Sequence, residues 1–94
     1  MQWEQEALGK YNSMIKRIPL FHREIAKQVV ERKARQNALE RGASCVEEPD
    51  IVRAFFSEVP KAFYSLMIRL LDEVGFDYQR LGNKELSQST KVKR

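Results

Sequence analysis

Reactive side chains are scarce in this chain, and the scarcity narrows what it can do. It holds one cysteine, Cys45, and one histidine, His22. A metal or iron–sulfur site normally takes three or four ligands from Cys, His or carboxylate side chains. The chain is therefore expected to build none alone, and a single cysteine forms no internal disulfide. Cys45 is expected to be a small buried or half-buried side chain, and His22, beside Phe21 near a helix start, a polar surface or capping group. The spacing assembles no Ser/His/Asp or Cys/His set. A chain of 94 residues also leaves little room for a pocket holding paired acid and base groups. The expectation is no catalytic residue, no metal and no cofactor held by this chain alone.

Two other sets of residues are suited to contact rather than to bond chemistry. Phe55, Phe56, Phe63, Tyr64 and Met67 offer apolar and aromatic surface for a protein partner, a second copy or a flat ligand. Lys27, Arg32, Lys33, Arg35 and Arg41 could neutralise phosphates. The formal net charge of +4 favours the second set until it is divided. Residues 75–94 hold five basic and two acidic side chains; Lys10–Arg41 holds nine and three; residues 42–74 hold three and six. The body is thus bipolar rather than basic. Nucleic-acid recognition needs a concentrated basic face, so it stands as the alternative to protein contact.

These sets have to be positioned by helices. Ile25, Ala26, Val29, Val30, Ala34 and Ala38 recur at three- and four-residue steps, which places them on one face of a long central helix. Pro19 disfavours helix at Ile18. Gly42 follows Arg41, a cation in the last turn with glycine just past it. The helix is expected from about Leu20 or Phe21 to about Arg41. A first helix is expected over Trp3–Lys16. A third runs from about Glu48 to about Ser57, with Pro49 at its first turn and Glu47, Glu48 and Asp50 at its positive end. A last helix opens at Pro60 and stops at Gly75. Its apolar residues, Phe63 to Val74, cover an arc of about 200°, twice what one core requires. Such a helix is either wedged between two neighbours or leaves part of its face for a partner. No stretch reads as a strand.

The expectation is one all-α domain over residues 1–75, with Trp3, Ile18, Phe21, Ile25, Val29, Val30, Ile51, Val52 and Phe55 buried. Phe76, Tyr78 and Leu81 would lie back on it. Residues 76–94 form a polar basic tail, expected to be disordered from Gly82 on. No segment has the run of about 20 apolar residues that spans a bilayer, and the first ten residues do not read as a signal peptide. A reducing cytoplasm is the expected location.

The order of the first half resembles a known family. Trp3 and Ala7 are followed by Ile18-Pro19-x-Phe21-x-Arg23-x-x-Ala26, Val30-Glu31-x-x-Ala34, Gly42, Val46, Asp50-Ile51-Val52 and Ala54. This resembles the small C-terminal helical domain of the B subunit of light-independent protochlorophyllide reductase, over about residues 3–56, with the helix at 60–74 as an addition. The resemblance implies association with an oxidoreductase complex of chlorophyll biosynthesis. It also implies contact with a tetrapyrrole, and no catalytic residue is carried over to this chain. The expected function is a stand-alone helical module that binds a protein partner or a tetrapyrrole.

Overall fold

The computed structural model describes residues 1–81. The expected disorder from Gly82 on therefore lies outside the described residues. Five helices and one short strand pair run β1 (Gln2–Trp3), α1 (Gln5–Arg17), α2 (Leu20–Glu40), β2 (Cys45–Val46), α3 (Glu48–Glu58), α4 (Tyr64–Val74) and α5 (Tyr78–Leu81). A single 3-10 turn, Lys61–Phe63, leads into α4. The fold is all-α, as the periodicity requires.

The helix ends follow local chemistry. Glu4 caps α1, accepting from the backbone N–H groups of Ala7 (2.9 Å) and Glu6 (3.1 Å). The chain breaks at Ile18-Pro19, and Pro19 is the N-cap of α2. Arg23 then reaches back from α2. Its guanidinium donates to the carbonyl oxygens of Ile18 and Lys16, each at 3.0 Å. These carbonyls close α1 and lack helical partners, so Arg23 fixes the corner between the two helices. At the far end of α2, Gly42 takes φ 76°. The Ala43 N–H reaches the Ala38 carbonyl and the Gly42 N–H that of Leu39, the paired bonds of a Schellman stop. Gly75 (φ 97°) closes α4 in the same way, through Phe76 to Leu71 and Gly75 to Asp72. That turn drives Phe76 into the core, where it is 2% exposed.

Helix α2 packs along α3, and α1 packs against α4. The centre is built from Tyr11, Met14, Val30, Val46, Ile51, Val52, Phe55 and Leu71, with the small Ala34 and Ala38 letting α3 approach α2 closely. Three expectations need correction. A strand does exist: β1 and β2 form a two-residue parallel pair, Gln2 with Cys45 and Trp3 with Val46. This pair seats Trp3 on Tyr11, ring centroids 5.1 Å apart. Two residues carry no alternation pattern, so periodicity is blind to it. Phe21 and Ile25, expected in the core, are 84% and 65% exposed. At about 100° per residue they point roughly 140–180° away from Val30, the side of α2 that meets α3. Trp3, Ile18 and Val29 are only partly buried.

Candidate interaction groove

Val59-Pro60 sets the geometry of the site. Proline keeps Val59 out of the helical region, and Val59 is extended at φ −83°, ψ 133°. The chain therefore leaves α3 and lays α4 across α1 rather than onto α2. Helices α2 and α4 make no extended contact, and the space between them is an apolar groove of about 410 Å³. One wall is the first half of α2, through Pro19, His22, Ile25, Ala26 and Val29. The other is the start of α4, through Phe63, Leu66, Met67 and Leu70. Met14, Phe55 and Val30 form part of its lining beneath, and Glu58 is its acidic residue.

The width of the α4 arc is resolved by this arrangement. Leu71, Ile68 and Tyr64 pack on the domain, whereas Phe63 (56% exposed) and Leu66 (39% exposed) face the groove. On α2, the groove stripe runs out after Val29. One and two turns further on, the equivalent positions hold Lys33 and Gln36, so the groove ends in polar residues.

The five aromatic and sulfur residues expected at a partner surface divide. Phe55 and Met67 sit at the base of the groove, 1% and 4% exposed, and Phe63 stands on its wall. Phe56 and Tyr64 lie away from it. Their rings meet edge to face at 5.3 Å, and the Tyr64 hydroxyl donates to the Phe56 carbonyl. Ile25 and Leu66 belong to the groove and were not singled out by sequence. The signal was present, since Phe21, His22, Ile25 and Val29 sit on a different side of α2 from Ala34 and Ala38.

The five basic residues do not share a face of α2. Arg41 is committed to the fold. Its guanidinium grips Asp50, which is fully buried, through Nε–Oδ1 at 2.8 Å and Nη2–Oδ2 at 2.7 Å. The same Nη2 also reaches Glu47 at 2.8 Å. Asp50 Oδ2 in turn accepts from the Glu47 N–H at 2.9 Å, and the Asp50 carbonyl accepts from Asn37 at 3.0 Å. The hydrogen bonds that Arg41 donates to Asp50, and then the one it donates to Glu47, hold its guanidinium even more firmly protonated than usual. Lys27 lies 3.9 Å from Glu24, Arg35 and Lys33 are half-buried, and Arg32 is exposed.

The remaining polar groups serve the scaffold. Tyr11 is buried and donates to Glu31 at 2.8 Å. Burial first, and then that hydrogen bond, push its hydroxyl above the ordinary tyrosine range. Cys45 is a half-buried free thiol in β2, and His22 is exposed on the groove wall with Phe21 edge-on at 5.4 Å. Among the described residues, no group of three or more His, Cys, Asp and Glu side chains is placed to hold a metal. No helix among them is long and apolar enough to cross a membrane.

Residues 1–84 match a family described as protein of unknown function (DUF2621). The chain belongs to this family. No curated protein and no solved structure matches it. The membership overturns the resemblance to light-independent protochlorophyllide reductase, because the match spans the whole of residues 3–56 on which that resemblance rested. Nothing links the chain to chlorophyll biosynthesis, and the expectation of tetrapyrrole contact loses its basis. The structure gives the physical reason for the coincidence. Pro19, Arg23 and Gly42 each perform a generic task at a helix end, and Phe21 of the shared motif projects into solvent.

Proposed function

We propose that this DUF2621 protein is a non-catalytic helical interaction module, and that its working surface is the groove between the first half of α2 and α4. The observation that carries this reading is the exposure of Phe21, Ile25, Phe63 and Leu66 around one apolar trough. At about 200 Å² for a large side chain, their exposed fractions leave roughly 500 Å² of apolar surface in water. That is near the upper end of the largest patch on a typical monomer, about 300–600 Å².

The chemistry of the occupant follows from the walls. Phe63, at the N-cap of α4, and Leu66 and Leu70 on it span about 10 Å and carry no charge. An amphipathic helix presenting apolar residues at i, i+4 and i+7 fits such a trough, with Glu58, Arg32 and Lys33 available to polar groups on its flanks. The probe for this surface is 1-anilinonaphthalene-8-sulfonate, whose fluorescence rises in apolar sites. At low micromolar protein a saturable rise is expected, lost in Leu66→Asp while the helical circular dichroism and melting temperature are retained. No dye signal from the native chain, or an unchanged signal from Leu66→Asp, would remove the groove as a binding surface.

A further inference from the structure

The groove has a matching knob on the same face of the molecule. Phe21 stands one turn before Ile25 on α2, is 84% exposed, and does not line its own groove. Among the described residues, its ring contact is the edge of His22. We infer that the occupant of the groove is a second copy of this chain, seated so that Phe21 and Ile25 of each copy enter the groove of the other about a two-fold axis beside the first half of α2. This rests on the groove being the working surface and names its partner.

Three features select a second copy. The first is fit. A void of about 150 Å³ accommodates one benzene ring, so 410 Å³ admits the Phe21 ring together with the Ile25 side chain. The second is closure. Knob and groove lie side by side, which makes the patch self-complementary. A self-complementary patch closes as a two-fold dimer, whereas a knob and groove on opposite faces would propagate into chains. The third is area. About 500 Å² from the four exposed side chains of each copy, with the half-buried Ile18, Val29 and Val59 beside them, clears the roughly 1,000 Å² in total that separates specific interfaces from chance contacts. It falls short of large obligate interfaces, so the dimer is expected to dissociate in the micromolar range. Its flanks carry both signs, with Glu24 and Glu58 against Arg32, Lys33 and Lys61, so two identical faces meet without a block of like charge.

Sedimentation equilibrium of the full chain from about 1 µM to 0.5 mM tests this, alongside Phe21→Asp and the control Leu39→Asp. Both positions are on the surface of α2, and Leu39 is 65% exposed far from the groove. The expected result is a mass rising toward twice that of the chain. In Phe21→Asp the dissociation constant should weaken about 10,000-fold, about 100-fold for each of the two buried aromatic side chains lost, one from each copy. Leu39→Asp should match the native chain. The dye signal per native chain should fall as protein concentration rises and stay constant in Phe21→Asp, because only the dimer closes the groove. A native chain that stays monomeric at 0.5 mM overturns the second copy as occupant. So does a dimer that survives Phe21→Asp, or one broken by Leu39→Asp. Dye binding that Leu66→Asp abolishes in a strictly monomeric protein would leave the groove standing and remove only its proposed partner.

Discussion

Arg41 is the residue whose role the structure changes most, and replacing it gives the sharpest test of the scaffold. In Arg41→Met the stem keeps its length and loses its charge. Among the described residues, the Asp50 carboxylate, fully buried, is left with the Glu47 N–H at 2.9 Å as its hydrogen-bond donor. Breaking a buried ion pair by removing one partner costs about 3–5 kcal/mol. The Arg41 side chain is 37% exposed, and solvent screening lowers the expected loss to about 2–3 kcal/mol. The Glu47 contact, exposed on both sides, adds at most about 0.5 kcal/mol. A domain of this size has a urea slope of about 1 kcal/mol per molar, so the unfolding midpoint should fall by about 2–3 M. Trp3 is a suitable reporter, since it stacks on the buried Tyr11 and is drawn into water on unfolding. Asp50→Asn keeps an acceptor for the Glu47 N–H and removes the charge. The double variant should be more stable than the summed losses predict, by at least about 1.5 kcal/mol, because each residue matters through the other. Additivity within about 0.5 kcal/mol would refute the bidentate pair as the source of stability. An Arg41→Met midpoint within experimental error of the native one would refute the cost itself and would release Arg41 for a role in binding.

Two further outcomes follow from the same core. Val30→Asp places a carboxylate at a position with no solvent exposure, at a cost of several kcal/mol against a total stability of about 5–10. The chain should be unfolded by circular dichroism at 25 °C, and a native melt would show that α2 meets α3 through another face. The Tyr11 hydroxyl is held above the ordinary tyrosine range in the folded state, so the unfolded chain releases that proton first. Stability should be unaffected by Tyr11 below about pH 10 and should fall by about 1.4 kcal/mol per pH unit above it. Tyr11→Phe should remove that component of the alkaline slope in urea melts taken from pH 9 to 11. An unchanged slope would place the titration elsewhere.

Helices α1 to α4 were legible in the sequence because their boundaries are set by single residues acting locally. Pro19, Gly42, Pro49, Pro60 and Gly75 each impose one backbone constraint, and each stands where that constraint is used. The retreat of Phe76 onto the body was legible for the same reason. What was not legible was the face of α2 that turns inward. Bulk and hydropathy favoured Ile25 and Phe21, yet the contact with α3 runs through Val30, Ala34, Asn37 and Ala38. The reason is distance. Helices that approach closely need small residues at the crossing, so the smallest apolar side chains mark the seam and the larger ones are left outside. Asn37 belongs to the seam because it donates to the Asp50 carbonyl, a partner that becomes visible only once α3 is in place.

That distinction bears on how the groove should be read. A helix with one apolar face has a single reason for its pattern, namely its own core. Helix α2 carries two apolar sectors, and they occupy different stretches of it. The small-residue seam runs from Val30 to Ala38, whereas Phe21, Ile25 and Val29 form a sector confined to the first half. Packing against α3 accounts for the first sector and places no demand on the second. Stability alone would favour polar residues at Phe21 and Ile25, as at Arg32 and Gln36 further along the same sides. The fold thus explains the alanines and leaves the phenylalanine without an internal use. Phe63 and Leu66, from a helix remote in sequence, are left exposed along the same trough. Two elements that scarcely touch share one unclaimed apolar surface, and a contact made from outside the chain supplies both with the same reason.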